Sequence, residues 1–158
     1  MELYVRVKVT SNSTYKVKPG MFPEVSTDEI FARALLQAKD DIVAENMVQM
    51  IAGMMGNNAT ETSMPGYESI VVTNRTKVYG AVAIYDKEML SKIAEKYDSN
   101  LVILPSSIHE CIICVDNDPD LNVYSDMVRS VNQIEVRPEE RLSDHAYLFD
   151  KVSREITW

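Results

Sequence analysis

No stretch of this sequence approaches 18 uninterrupted apolar residues, so none has the length of a membrane-spanning helix. Glu2, Arg6 and Lys8 break up the first 25 residues, and no signal-peptide core forms there. Cysteine is scarce, at two in 158 residues, and gives no sign of secretion. The sequence has no phosphate-binding P-loop, no dinucleotide glycine fingerprint, no EF-hand, no metal-spaced Cys/His set and no H-E-x-x-H helix. Basic residues are also in deficit. Sixteen Lys and Arg against 24 Asp and Glu leave a net charge of −8, which repels phosphate backbones. The densest basic run, Arg6, Lys8, Lys16 and Lys18, reads as the solvated face of a strand and its turn. These absences set the expectation of a cytoplasmic protein with no nucleic-acid partner, no membrane partner, no cofactor and no metal.

What is present suits a folded domain. Hydrophobic residues make up 46% of the chain, enough for a core, and 25% are charged. The length fits one domain spanning residues 1–158. Leu3, Val5, Val7 and Val9 alternate with polar residues, as in a half-buried strand. Pro19-Gly20 marks the following loop. Ser26 and Glu29 form a capping box before a long amphipathic helix. Its apolar positions run from Ile30 to Met50 or Ile51, and Gly53 and Gly56-Asn57-Asn58 stop it. Met47, Met50, Met54 and Met55 gather at its end and read as core packing. The polar stretch 57–68 reads as a loop.

Strands follow at Ile70–Val72 and at Val78–Tyr85, the second apolar throughout and so central in a sheet. Gly80 within it signals a bulge or a close backbone approach. Asp86 caps a helix over Lys87–Tyr97, and short strands follow at Leu101–Leu104 and Ile108–Val115. Pro105-Ser106-Ser107 joins them. A further helix covers Val123–Asn132, and Pro138 opens a helical turn over 138–141. Ala146–Phe149 and Ile156–Trp158 are mixed in pattern. Paired strands without intervening helices predict an α+β fold, a mostly antiparallel sheet with about three helices packed mainly on one side.

Several of these segments resemble a known family. Val72-Thr73-Asn74-Arg75, Gly80-Ala81 and Ile103-Leu104-Pro105-Ser106-Ser107-Ile108-His109-Glu110 carry the likeness, followed by Met127-Val128, Val131-Asn132, Val136, Pro138-Glu139-Glu140 and Leu142-Ser143-Asp144. The chain is similar here to a family of uncharacterised bacterial proteins, of the anaerobic gut type, grouped as a domain of unknown function. The resemblance spans residues 70–150, and residues 1–69 fall outside it. Members often carry an aliphatic residue where this chain has Cys111, and the family brings no activity with it.

Both histidines lie beside a serine and an acid. His109 sits in Ser106-Ser107-Ile108-His109-Glu110, and His145 in Ser143-Asp144-His145. Strand alternation puts His109, Cys111 and Ile113 on one face. Ser107 or Ser106 as nucleophile, a histidine as base and Asp144 or Glu110 as its orienter would make a small hydrolase. No G-x-S-x-G elbow supports this. The same residues also read as a polar network that fixes a tight turn. Arg75, Ser106 and Glu110 are the candidate binding residues, Arg75 through a carboxylate or phosphate. Cys111 and Cys114 are spaced as C-x-x-C, but Ile112 and Ile113 between them indicate buried thiols in a strand. The expected function is a non-enzymatic binding or interaction domain, contacting a protein or a small ligand. The alternatives are a hydrolase built on Ser107, His109 and Asp144, or an oligomerising structural subunit, a homo-oligomer.

Overall fold

The computed structural model describes the chain except residues 1–4, 11–12, 19 and 55–67, and leaves out the side chains of 8–10 and 51–54. Leu3, Pro19, Met55 and most of the 57–68 loop therefore lie outside the described residues. Two compact units form, residues 1–40 and residues 41–158.

In the first unit, β1 (Arg6–Thr10) pairs antiparallel with β2 (Ser13–Lys16). Val7 and its cross-strand partner Tyr15 are both exposed, so the expected half-buried face is open at this point. α1 spans Thr27–Lys39, and the Ser26 hydroxyl accepts from the Glu29 amide at 3.2 Å, as the capping box requires. The Glu29 carboxylate turns forward to Arg33 at 2.7 Å.

The long helix expected to reach residue 51 is three elements. α1 stops at Lys39, β3 covers Ile42–Asn46, and α2 covers Met47–Met54. β3 pairs with β4 (Ser69–Asn74) over its whole length, from Ile42 opposite Asn74 to Asn46 opposite Ile70. Five residues of ladder and the β-branched pair Ile42-Val43 outweigh a 3.6-residue spacing that the sequence also supports. Asn46 then starts α2, its side-chain oxygen accepting from the amides of Val48 and Gln49 at 3.0 and 3.3 Å.

Residues 78–85 also depart from the expected strand. They form no strand: Gly80–Tyr85 is a 3-10 helix entered through Tyr79 at φ 57°. β4 already has β3 on one side and β6 (Cys111–Val115) on the other, so the sheet has no slot there. A short apolar run between turn signals suits a buried helical turn as well as a buried strand. α3 (Lys87–Tyr97) follows with Asp86 as its cap, and Asp98 in the left-handed region ends it. β5 (Leu101–Leu104) is as expected, whereas β6 starts at Cys111, three residues later than the pattern suggested. α4 (Leu121–Ile134), a 3-10 turn at Pro138–Glu140, β7 (Tyr147–Phe149) and β8 (Ile156–Thr157) complete the chain.

The main sheet is antiparallel throughout, in the order β3-β4-β6-β5-β7-β8. The fold is α+β. Alternation along β5 and β6 divides the core. Leu101, Ile103, Cys111 and Ile113 pack beneath α3 and the Gly80–Tyr85 turn. Val102, Leu104, Ile112 and Cys114 face α4 on the other side. Within residues 41–158, α4 thus lies on the sheet face opposite α3. Among the described residues no helix is long and apolar enough to cross a membrane.

Candidate functional site

Residues 105–110 connect the paired strands β5 and β6, and their polar groups close on the fold. The Ser107 amide donates to the Glu110 carbonyl at 3.1 Å, and the Ser107 hydroxyl accepts from the His109 amide at 3.0 Å. The Ile108 amide donates to the Glu140 carbonyl at 2.8 Å, and the Ile108 carbonyl accepts from Ala81 at 3.3 Å. The His109 carbonyl accepts from the buried Thr73 hydroxyl at 2.8 Å. Gly80 fits into the same junction, so the close backbone approach expected of it is present.

Both nitrogens of the His109 imidazole face groups of the fold, and one of them is hydrogen-bonded. Nδ1 accepts from the Tyr79 amide at 3.2 Å, which in the neutral ring assigns the proton to Nε2. Nε2 faces Glu140 Oε1 at 3.6 Å. The Tyr79 ring lies 5.6 Å away, tilted by 33°. Four segments therefore meet at one histidine: the end of β4, the 3-10 entry at Tyr79, the 105–110 turn and the Pro138–Glu140 turn.

The acid beside His109 is Glu140, a residue the sequence reading had not singled out for chemistry. Its only sign was its place in Pro138-Glu139-Glu140. Asp144 lies elsewhere, accepting from the buried Asn132 side chain at 2.7 Å, while the same amide donates to the Ser143 carbonyl at 3.0 Å. The Ser143 hydroxyl takes the His145 amide and the Tyr147 hydroxyl at 3.1 and 2.8 Å, and the His145 side chain is exposed. Among the described residues no hydrogen bond or ion pair joins Asp144 or His145 to His109. Ser107 meets the backbone of His109 and makes no bond to its ring, whereas an activated nucleophile needs a base in hydrogen-bond reach.

The other candidates sit apart or at the margin. Arg75 is 70% exposed and pairs with Asp41 at 3.4 Å. Ser106 and Glu110 are half-buried in the turn. Cys111 and Cys114 point to opposite faces of β6, as an odd spacing on a strand dictates, and so cannot act as a pair. Burial, and to a lesser degree the charge of Glu110, pushes the Cys111 thiol up to about 12. Burial also raises Cys114, partly offset by its contact with Ser69. Neither is a thiolate at neutral pH. Among the described residues no three His, Cys, Asp or Glu side chains are grouped to hold a metal.

A second feature has no counterpart in the sequence reading. A cleft of about 690 Å³ opens between α2, α3 and the β3–β4 edge of the sheet. Ala44, Met50, Ile70 and Ile93 supply its apolar surface, and Glu45, Asn46, Gln49, Tyr97, Lys77 and Lys96 its polar groups. The Tyr97 hydroxyl and the Asn46 amide both donate to Glu68 Oε2, at 3.2 and 2.8 Å. No signal in the sequence joins these residues, because the helix boundary that creates α2 was hidden.

No curated protein and no solved structure matches this chain. A family model matches residues 4–151, and so takes in the N-terminal part as well as residues 70–150. The chain belongs to the family of unknown function DUF5688.

Proposed function

We propose that this protein acts by non-covalent binding, and that the His109 constellation serves its fold. The observation that carries this reading is the way the fold itself engages His109 and Ser107. Both imidazole nitrogens and the Ser107 hydroxyl are turned to backbone or to Glu140. A bacterial, cytoplasmic setting agrees with the Leu104–Glu110 resemblance and with two free thiols. The test is turnover of activated esters by the wild type and by Ser107→Ala. The expected result is equal, marginal hydrolysis by both proteins. Turnover by the wild type that Ser107→Ala abolishes would establish the hydrolase and end this reading.

The outer side of α4 favours a second reading, self-association. Val123, Met127, Val131 and Ile134 recur at helical spacing and are 55, 51, 46 and 79% exposed. A 14-residue helix is about 21 Å long, so pairing two copies along it buries less than the roughly 1,200 Å² of a stable interface. The expected dimer is weak and concentration-dependent in sedimentation, and Met127→Lys abolishes it. A wild type that stays monomeric at about 1 mM rules it out.

A further inference from the structure

The lysines of residues 41–158 divide in a way that points at a ligand. There are five. Lys87, Lys92 and Lys151 are ion-paired, with Glu155, Glu88 and Asp98 at 2.8, 2.8 and 2.9 Å. Lys77 and Lys96 have no carboxylate partner among the described residues, and these two line the cleft. Two cations without a carboxylate partner among the described residues thus share one depression, in a chain with 24 acids and a net charge of −8.

Lys96 is also positioned. Its ammonium donates to the Tyr97 hydroxyl at 3.1 Å and stands 4.8 Å over that ring. The Tyr97 proton goes to Glu68, so the phenol oxygen is left as an acceptor for Lys96. An ammonium carries three donors, and one is used here. Ile70, Ile93 and Met50 line the same cleft and supply its apolar part, with Ile70 and Ile93 at its buried floor. Glu45 also borders the cleft, but by strand alternation it belongs to the sheet face opposite Ala44 and Asn46. Lys77 follows the Asn74 end of β4, whereas Asn46 and Glu68 mark the Ile70 end. Five strand residues span about 13 Å between these ends.

We propose that the cleft binds a small organic anion with an apolar body, its carboxylate on Lys96 and its chain over Ile70 and Ile93, with Lys77 placed for a second anionic group. A volume of about 690 Å³ is within the usual size of a small-molecule site. The proposal rests on the binding reading above and gives it a ligand class. A medium-chain carboxylate is the simplest member, and an α,ω-dicarboxylate uses both ends.

Calorimetric titration of the full chain with octanoate, octanedioate and octylammonium tests it. The expected result is saturable octanoate binding at or below about 1 mM, tighter binding of octanedioate, and none of the amine. Lys96→Gln should weaken octanoate about tenfold, the size of one charge-assisted hydrogen bond. Lys77→Gln should remove the advantage of octanedioate and leave octanoate unchanged. Both lysines are exposed, and wild-type melting of each variant establishes that its fold is intact. The proposal is overturned if the amine binds as well as the acid, if no anion saturates by about 10 mM, or if both variants bind like the wild type. Such a failure leaves the non-catalytic reading of His109 standing, since ester turnover decides that one.

Discussion

Gly80→Ala is expected to lower the melting temperature by about 6–12 °C, a loss of about 3 kcal/mol or more. A Cβ on Gly80 would stand 2.5 Å from the Asn74 amide nitrogen and 2.7 Å from the His109 carbonyl oxygen, and closer still to the Thr73 hydroxyl. The hydroxyl could swing aside, but only by giving up its bond to His109 inside a buried residue. The two backbone atoms cannot move without opening the β4 end or the 105–110 turn. The methyl thus separates the segments that the His109 junction unites. A Gly80→Ala protein that melts within about 2 °C of the wild type would show that the junction is looser than described.

Asn132→Asp has the second large effect, and it depends on pH. Asn132 is 1% exposed, and its side-chain amide donates to the Ser143 carbonyl and to Asp144. The substitution keeps the shape and replaces a donor by a carboxylate facing two acceptors. Leaving a buried charge uncompensated costs about 3–5 kcal/mol. The new acid holds its proton more tightly folded than unfolded, because burial and Asp144 both disfavour its charge. A group whose folded pKa is raised favours the fold at low pH and loses that contribution as pH rises. The melting deficit is therefore full at neutral pH and narrows as pH falls toward about 4. A deficit that stays constant from pH 7 to 4 contradicts this account of Asp144 as an anchor of α4.

Where sequence and structure agree, one local signal is enough. Ser26 with Glu29 and Asp86 before Lys87 fix helix starts through bonds within three residues, and the structure makes those bonds. Leu101–Leu104 is bounded by Asn100 and Pro105, so its limits were legible too. The failures are of a different kind. Ile42–Asn46 carries a helical spacing, and only β4, about 30 residues further on, makes it a strand. Gly80–Tyr85 carries strand residues, and only the prior claim of β6 on β4 turns it into a helix. Pairing partners at long range are absent from any window of sequence.

The candidate site divides along the same line. His109, Ser107 and Gly80 were visible because they share a short motif or break a pattern. Glu140 meets His109 from more than 30 positions away, through a turn with no chemical signature of its own. The Lys77 and Lys96 cleft depends on the position of α2, which the merged helix concealed.

Thermal unfolding of the wild type beside His109→Ala tests the central claim most directly. The substitution removes the acceptor for the Tyr79 amide, the ring packed on Tyr79 and the group facing Glu140. The expected loss is about 2 kcal/mol, seen as a midpoint lower by about 4–8 °C. An unchanged or higher midpoint would contradict the reading that His109 serves the fold, because a group that adds nothing to stability is characteristic of a functional site.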